Sequence, residues 1–223
     1  EEFLAPAIKS SRECNHIWLE KIDQVSDLSL FVCHKTREAL ESTNALEYIK
    51  AGEAKKYHKR PSCRGRSPWW DLGEREGAKV NCNYLIGKVM RFFASDRPFF
   101  VSDNFQEVHS EIDAARLFAA CNSTIAQLNI NVIGRSNFGD GLLKVQTYEV
   151  SDIVIPDPRL LPLSEVRQVI VNAQTLDLIN TDRRALDAII FDALGLTQGE
   201  HDAVYEALIT MVEARLHKAQ SLR

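Results

Sequence analysis

The 223-residue sequence is notable first for what is missing. No apolar run approaches the roughly 18 residues needed to cross a bilayer, so a transmembrane protein is excluded and no membrane partner is expected. The five cysteines (Cys14, Cys33, Cys63, Cys82 and Cys121) form no C-x-x-C pair. A disulfide scaffold or zinc ribbon is therefore not expected, and a reducing, cytoplasmic location is. No two prolines are adjacent, and G-x-G-x-x-G, the Walker loop, G-x-S-x-G and H-E-x-x-H are all absent. There is no internal repeat and no low-complexity stretch. The chain opens on Glu1 with no methionine and no signal-like segment, which reads as an excised part of a longer protein.

What is present is an ordinary globular balance, 45% hydrophobic and 26% charged, with a net charge of −4. That total conceals an uneven distribution. Residues 1–54 carry six basic and ten acidic side chains, and residues 55–97 carry eleven and four. Residues 98–159 carry four and eight, and residues 160–223 carry six and nine. One block of net +7 thus sits in an otherwise acidic chain. A local patch of this kind, and not the isoelectric point, is what neutralises phosphates and releases counterions.

Hydrophobic spacing predicts an α+β protein with a mixed or antiparallel sheet, packed helices and a helical tail. The expected division is a body of residues 1–159 and a tail of residues 160–223. His16–Lys21 and Leu28–Cys33 read as a hairpin across Asp23 and Asp27. Apolar residues from Thr36 to Ala54 recur at helical spacing, with Gly52 marking the end. Lys79–Ile86, Val89–Ala94 and Pro98–Ser102 read as strands of a meander, broken at Gly87 and Asp96. Ser110-x-x-Asp113 reads as a capping box for one helix burying Ala114, Leu117, Phe118 and Ile125. The stretch Gly134–Gly141 leads into an extended Leu142–Val145, and Ile153–Ile155 reads as a short strand. In the tail, Leu186, Ile189, Ile190 and Leu194 form a helical face stopped by Gly195, and Thr197-x-x-Glu200 caps a final helix. That last helix carries Val204, Leu208, Met211, Val212 and Leu216 along one side.

Chemistry concentrates in the positive block. Lys55, Lys56, Lys59, Arg60, Arg64 and Arg66 lie in a segment with little to bury, followed at once by Trp69 and Trp70. An arginine fork can hold guanine O6 and N7 together or grip a phosphate. The two indoles read as anchors of the loop to the core. Gly134–Gly141, with Arg135, Ser136 and Asn137, suits either a phosphate or base edge or an ordinary turn. His58 and Cys63 read as solvated loop residues more readily than as zinc ligands. Asp71, Glu76 and Lys79 only approach a nuclease pattern, which motivates a hydrolase as a weak rival. No catalytic and no metal-binding residue is assigned.

Several stretches together resemble a known family. They are Tyr48-Ile49-Lys50-Ala51-Gly52-Glu53, His58-Lys59-Arg60-Pro61-Ser62-Cys63-Arg64-Gly65-Arg66, and Trp69-Trp70-Asp71-Leu72-Gly73. Arg66-Ser67-Pro68-Trp69-Trp70-Asp71-Leu72 fits R-x-x-W-[YW]-x-L, Asp103-Asn104-Phe105 approaches D-N-x-[FY], and Cys121-Asn122-Ser123 approaches L-N-S. The glycine loop before Leu142-Leu143-Lys144, then Ile153-Val154-Ile155-Pro156, follow in order. The tail from Asp182-Arg183-Arg184-Ala185-Leu186-Asp187 through Leu194-Gly195-Leu196 to Glu200 and Arg215-Leu216 completes it. This order is similar to the C-terminal target-recognition region of bacterial N6-adenine-specific DNA methyltransferases, of the Taq-like gamma class and the large restriction-modification methylases.

The resemblance implies sequence-specific recognition of double-stranded DNA in a restriction-modification system. Arg60, Arg64 and Arg66 would enter a groove. Lys79, Lys88, Arg91, Arg97 and Arg135 would contact phosphates, and Asn137 or Lys144 would do either. The family's [ND]-P-P-[YF] motif and its glycine-rich S-adenosylmethionine motif are absent. The chain is therefore expected to bind no cofactor and to be inactive alone. S-adenosylmethionine and an N-terminal catalytic domain, this chain's expected partner besides DNA, would belong to the parent enzyme. The alternative is a protein-interaction module that docks a partner subunit through the helical tail.

Overall fold

The structure, a computed structural model, describes residues 2–221 except 139, 140, 172, 174, 175 and 179, and at 136–138 the backbone alone. The expected α+β class is what the chain adopts. A five-stranded mixed sheet has the order β2-β1-β5-β3-β6, built from β1 (Leu4–Ile8), β2 (Ser29–Phe31), β3 (Ala78–Asn83), β5 (Phe92–Val101) and β6 (Phe105–Val108). β1 runs parallel to β5, and the other pairs are antiparallel. A smaller sheet, ordered β4-β8-β7, joins β4 (Leu85–Ile86), β7 (Arg135–Phe138) and β8 (Leu142–Lys144).

Three expectations about this sheet are corrected. Leu28–Cys33 does not pair with His16–Lys21: β2 pairs with β1 in the register Leu4↔Phe31. The 16–21 segment instead runs parallel beside β5 in a single bridge at Trp18↔Ala94, where Leu19 N donates to Ala94 O at 2.7 Å and Ala94 N to Ile17 O at 3.0 Å. Val89–Ala94 and Pro98–Ser102 are not separate strands, because β5 runs unbroken through Asp96. Its exposed centre, Asp96–Pro98, carries charge without ending the strand, since Arg167 grips the Asp96 carboxylate at 2.8 and 3.2 Å. Ile153–Ile155 belongs to no strand.

The helices cover the large sheet. The expected single helix after Ser110 is two, α2 (Ala114–Asn122) and α3 (Thr124–Ile133). Asp113 caps the first by accepting from Ala115 N and Arg116 N. Ser123 takes an extended conformation and caps the second by accepting from Ala126 N at 3.1 Å. Ile125 thus belongs to α3. A short α4 (Thr147–Val150) precedes α5 (Leu163–Ile170), α6 (Thr181–Leu194) and α7 (Gln198–Ser221). Gly195 ends α6 at φ +68, a left-handed backbone that disfavours a Cβ, and the Thr197–Glu200 box opens α7 as expected.

One apolar core unites Phe92, Phe93 and Ala94 of β5 with Phe118 of α2, Val166 and Ile170 of α5, and Leu186 and Ile190 of α6. Each fully buried Phe, Leu, Ile or Val among them contributes about 2 kcal/mol of burial. Polar groups lock the break between α2 and α3. The Asn122 amide accepts from Phe92 N at 3.2 Å and donates to Phe92 O at 3.0 Å. Asp187, with no exposed surface, accepts from Thr124 N (2.8 Å), Thr124 Oγ1 (2.6 Å) and Tyr205 Oη (2.9 Å). One helical turn earlier, Arg183 is equally enclosed and donates to Asn122 O at 2.7 Å and to the carbonyls of Leu176 and Asp177.

A second, smaller core stands apart from the first. Cys33, Leu40, Ala45, Leu46, Ile49 and Trp70 close it, with Phe3, Phe31 and Trp69 packed against it. It joins the large sheet through the β1–β2 edge.

Candidate nucleic-acid interface

The positive loop grows out of this second core. α1 (Asn44–Ala54) begins later than expected, at Thr43, whose hydroxyl accepts from Leu46 N at 3.3 Å. Its buried face is Ala45, Leu46, Ile49 and Gly52. Gly52 lies inside the helix and does not end it. A Cβ there would come within 2.8 Å of the Trp69 ring, so the glycine is what lets the indole cross the helix. Trp69 then donates Nε1–H to Glu53 at 3.3 Å and meets Trp70 edge-on. Glu53 is also held by both terminal nitrogens of Arg37, at 2.7 and 3.1 Å. Hydrogen bonding from Arg37 first, and then from Trp69, keeps its carboxyl below the usual range. The tryptophans are thus the anchors that the sequence suggested.

Lys56, at φ +61, turns the chain out of α1. The loop that follows is a series of hydrogen-bonded turns: Cys63 N and Arg64 N both donate to Arg60 O at 2.9 Å, and Arg66 N to Cys63 O at 3.0 Å. The turns bring Arg60, Arg64 and Arg66 together on one exposed loop, with Lys55, Lys56 and Lys59 exposed beside them. The Arg60 guanidinium lies 4.1 Å from the centroid of the Tyr57 ring. Among the described residues, none of the three arginines has a carboxylate within ion-pair distance.

The other expected contacts are scattered through the two sheets. Lys79 on β3 and Arg97 on β5 are exposed on the large sheet, and Lys88 is exposed after β4. Arg91 is half-buried and pairs with Asp177 at 3.4 Å. On the small sheet, Arg135 and Lys144 are cross-strand partners, in the row Arg135↔Lys144↔Leu85. Arg135 pairs with Glu149 at 2.8 Å and touches the Tyr148 hydroxyl, and the Lys144 ammonium lies 5.3 Å from the Tyr84 centroid. Asn137 is on β7, and its side chain lies outside the described residues.

Rival chemistry finds little footing. Asp71 accepts from His34 at 2.7 Å and from Gly73 N at 2.8 Å. The Gly73 hydrogen bond is the main reason that its carboxyl is held low. Among the described residues, no three His, Cys, Asp or Glu side chains gather as a metal site would require. Of the glycine stretch, only the two end glycines are described with their surroundings, and Gly134 packs against Leu143. Gly141 backs onto α7, where a Cβ would meet Ala219, Arg215 and Leu216 at 3.2 Å. The grouping not read from the sequence is that of Phe31, Tyr48 and Tyr57, which with Trp69 wall a recess of about 400 Å³ beside the loop. The pointers were the Trp69-Trp70 pair and the Tyr48–Glu53 run of the family resemblance, and neither showed that these rings would meet.

Comparison with known proteins places these features in a family. Residues 5–189 match the family model described as the C-terminal domain of the type II methyltransferase M.Eco57I. The type II methyltransferase M.AccI of Acinetobacter calcoaceticus is 25% identical over 171 residues, which are 72% of this chain and 31% of that protein. The chain therefore spans about a third of this relative's length. The crystal structure of the type IIG restriction endonuclease BpuSI superposes with a TM-score of 0.60 at 14% identity, covering 96% of this chain and 26% of that one.

Proposed function

The chain belongs to the family of type II methyltransferase C-terminal domains represented by M.Eco57I, and on that premise we propose that it reads double-stranded DNA for a restriction-modification methyltransferase. The observation that carries this reading is the arginine loop. Three exposed guanidinium groups, free of described carboxylates and braced on a tryptophan core, stand in an otherwise acidic chain. Arg60, Arg64 and Arg66 enter the groove, where the loop's glycine, serine and proline keep it slender. Lys79, Lys88, Arg91, Arg97, Arg135, Lys144 and Asn137 supply the surrounding contacts. For Arg91 and Arg135 this requires exchanging Asp177 and Glu149 for phosphate. In this reading residues 1–159 face the DNA and residues 160–223 brace them.

The parent enzyme would transfer a methyl group to adenine N6 from S-adenosylmethionine, in the cytoplasm. That chemistry requires the base to leave the stack, and it falls to an N-terminal catalytic domain, because the sequence of this chain carries neither [ND]-P-P-[YF] nor the glycine-rich S-adenosylmethionine motif. No described helix is long and apolar enough to cross a membrane. Docking through the tail has less support: Leu208 and Val212 of α7 are buried, and Met211 and Leu216 are half-buried.

A salt series of duplex binding tests the proposal. The log–log slope of affinity against salt is expected to fall by roughly 0.9 for each phosphate contact removed. Arg64→Ala with Arg66→Ala should weaken binding and flatten the slope while leaving thermal stability within about 0.5 kcal/mol, since both side chains are exposed. Unaltered binding by the double variant at every salt concentration would remove the loop from the interface.

A further inference from the structure

The recess beside the arginine loop has walls and a rim of different chemistry. Phe31, Tyr48, Tyr57 and Trp69 supply aromatic surface, and Lys55 and Arg66 line it as cations. Tyr48 is 62% exposed although its ring centroid lies only 5.0 Å from that of Phe31, so an open aromatic face stands beside a half-buried one. The recess is also built. Gly52 sits mid-helix, where glycine costs about 1 kcal/mol relative to alanine. Its lack of a side chain is what allows Trp69 to form the wall. The volume of about 400 Å³ falls within the range of small-ligand sites.

We propose that this recess takes one unstacked nucleobase of the bound DNA, its ring against the aromatic walls and its flanking phosphates on Lys55 and Arg66. The proposal rests on the DNA-reading function and extends it to a second contact. An apolar helix or peptide would cover the aromatic walls but leave both cations without a counter-charge. A nucleotide satisfies walls and rim together, because every base has a π-face and carries its phosphate alongside. The continuity of Arg66 with the groove loop puts such a base on the same DNA that Arg60 and Arg64 hold.

The test compares two duplexes binding the full chain: one fully paired, the other identical but with one additional unpaired 2-aminopurine. The bulged duplex should bind roughly 5- to 100-fold tighter, the scale of one base–aromatic stack, and 2-aminopurine emission should fall on binding. Tyr48→Ala, whose ring is mostly exposed, should bring the ratio of the two affinities close to one. Equal affinities in the parent chain, or a preference that survives Tyr48→Ala, would overturn the recess while leaving DNA reading intact. Binding to neither duplex would overturn both.

Discussion

Arg183 and Arg64 carry the same side chain in opposite surroundings. Arg183 is 1% exposed, and its donors end on carbonyls left over where α2 breaks into α3 and where the chain enters α6. Burial pushes its pKa down, against the attraction of Asp187 one turn along the helix. Arg64 stands in water on a loop with no described carboxylate nearby. The first is consumed by the fold, and the second is available to a partner. Counting charge along the sequence treats them alike. What separates them is whether backbone acceptors wait in the interior, and that depends on contacts 61 residues away in the chain.

The largest way to break this comparison is at Asp187. Asp187→Ala would leave Arg183 enclosed without its counter-charge and strip hydrogen bonds from Thr124 and Tyr205. A loss of about 3–5 kcal/mol is expected, a drop of roughly 6–20 °C in the melting temperature of a chain this size. Circular-dichroism melting measures it. A loss under about 1 kcal/mol would mean that the buried junction is no more structural than the exposed arginines.

The two regions were unequally legible. Residues 55–66 announced themselves because they have charge and almost nothing to bury, a local property that sequence displays directly. The ends of α6 and α7 were equally plain, since Gly195, Thr197 and Glu200 act on neighbours one turn away. The sheet was harder. Pairing is non-local, so nothing near Leu28–Cys33 showed that its partner would be Leu4–Ile8 and not His16–Lys21. The charged centre of β5 read as a break because Arg167, which stabilises Asp96, is 71 residues distant. Asn122 lay in a motif that the family resemblance singled out, yet its amide is spent on Phe92 of β5. The aromatic recess was invisible, for Phe31, Tyr48 and Trp69 meet only after β2, α1 and the loop have folded together.

A middle-sized effect should separate the two cores by pH. Glu53 is held below its ordinary pKa by Arg37 and then by Trp69. A depressed carboxyl contributes stability that is present above the unfolded value, about 4.3, and is lost as pH falls through the lowered folded value. Arg37 and Glu53 are partly exposed, so solvent screening keeps the contribution small. Tryptophan emission followed from pH 6 to pH 3 should show a step that reports the small core loosening. Glu53→Gln should remove that step while other carboxylates titrate as before. A step of unchanged size in Glu53→Gln would show that the small core's acid response lies elsewhere.

The smallest expected effect sharpens the comparison most, because two contributions oppose each other at Gly52. Replacement by alanine favours α1 by about 1 kcal/mol through helix propensity. It also places a methyl group within 2.8 Å of Trp69, which must move. The atom met is the outer edge of an indole that itself lines an open recess, not a backbone group in a closed interior. The ring therefore has somewhere to go, and the net change in stability should stay within about 1 kcal/mol of zero. The displacement should appear instead as a shift in tryptophan emission. A loss of 3 kcal/mol or more would mean that the indole is as immovable as the Arg183–Asp187 junction, and that the small core is rigid on the scale of the large one. Near-neutral stability with altered emission would identify the small core as an adjustable platform, stiff enough to present the arginine loop and loose enough to admit a ring beside it.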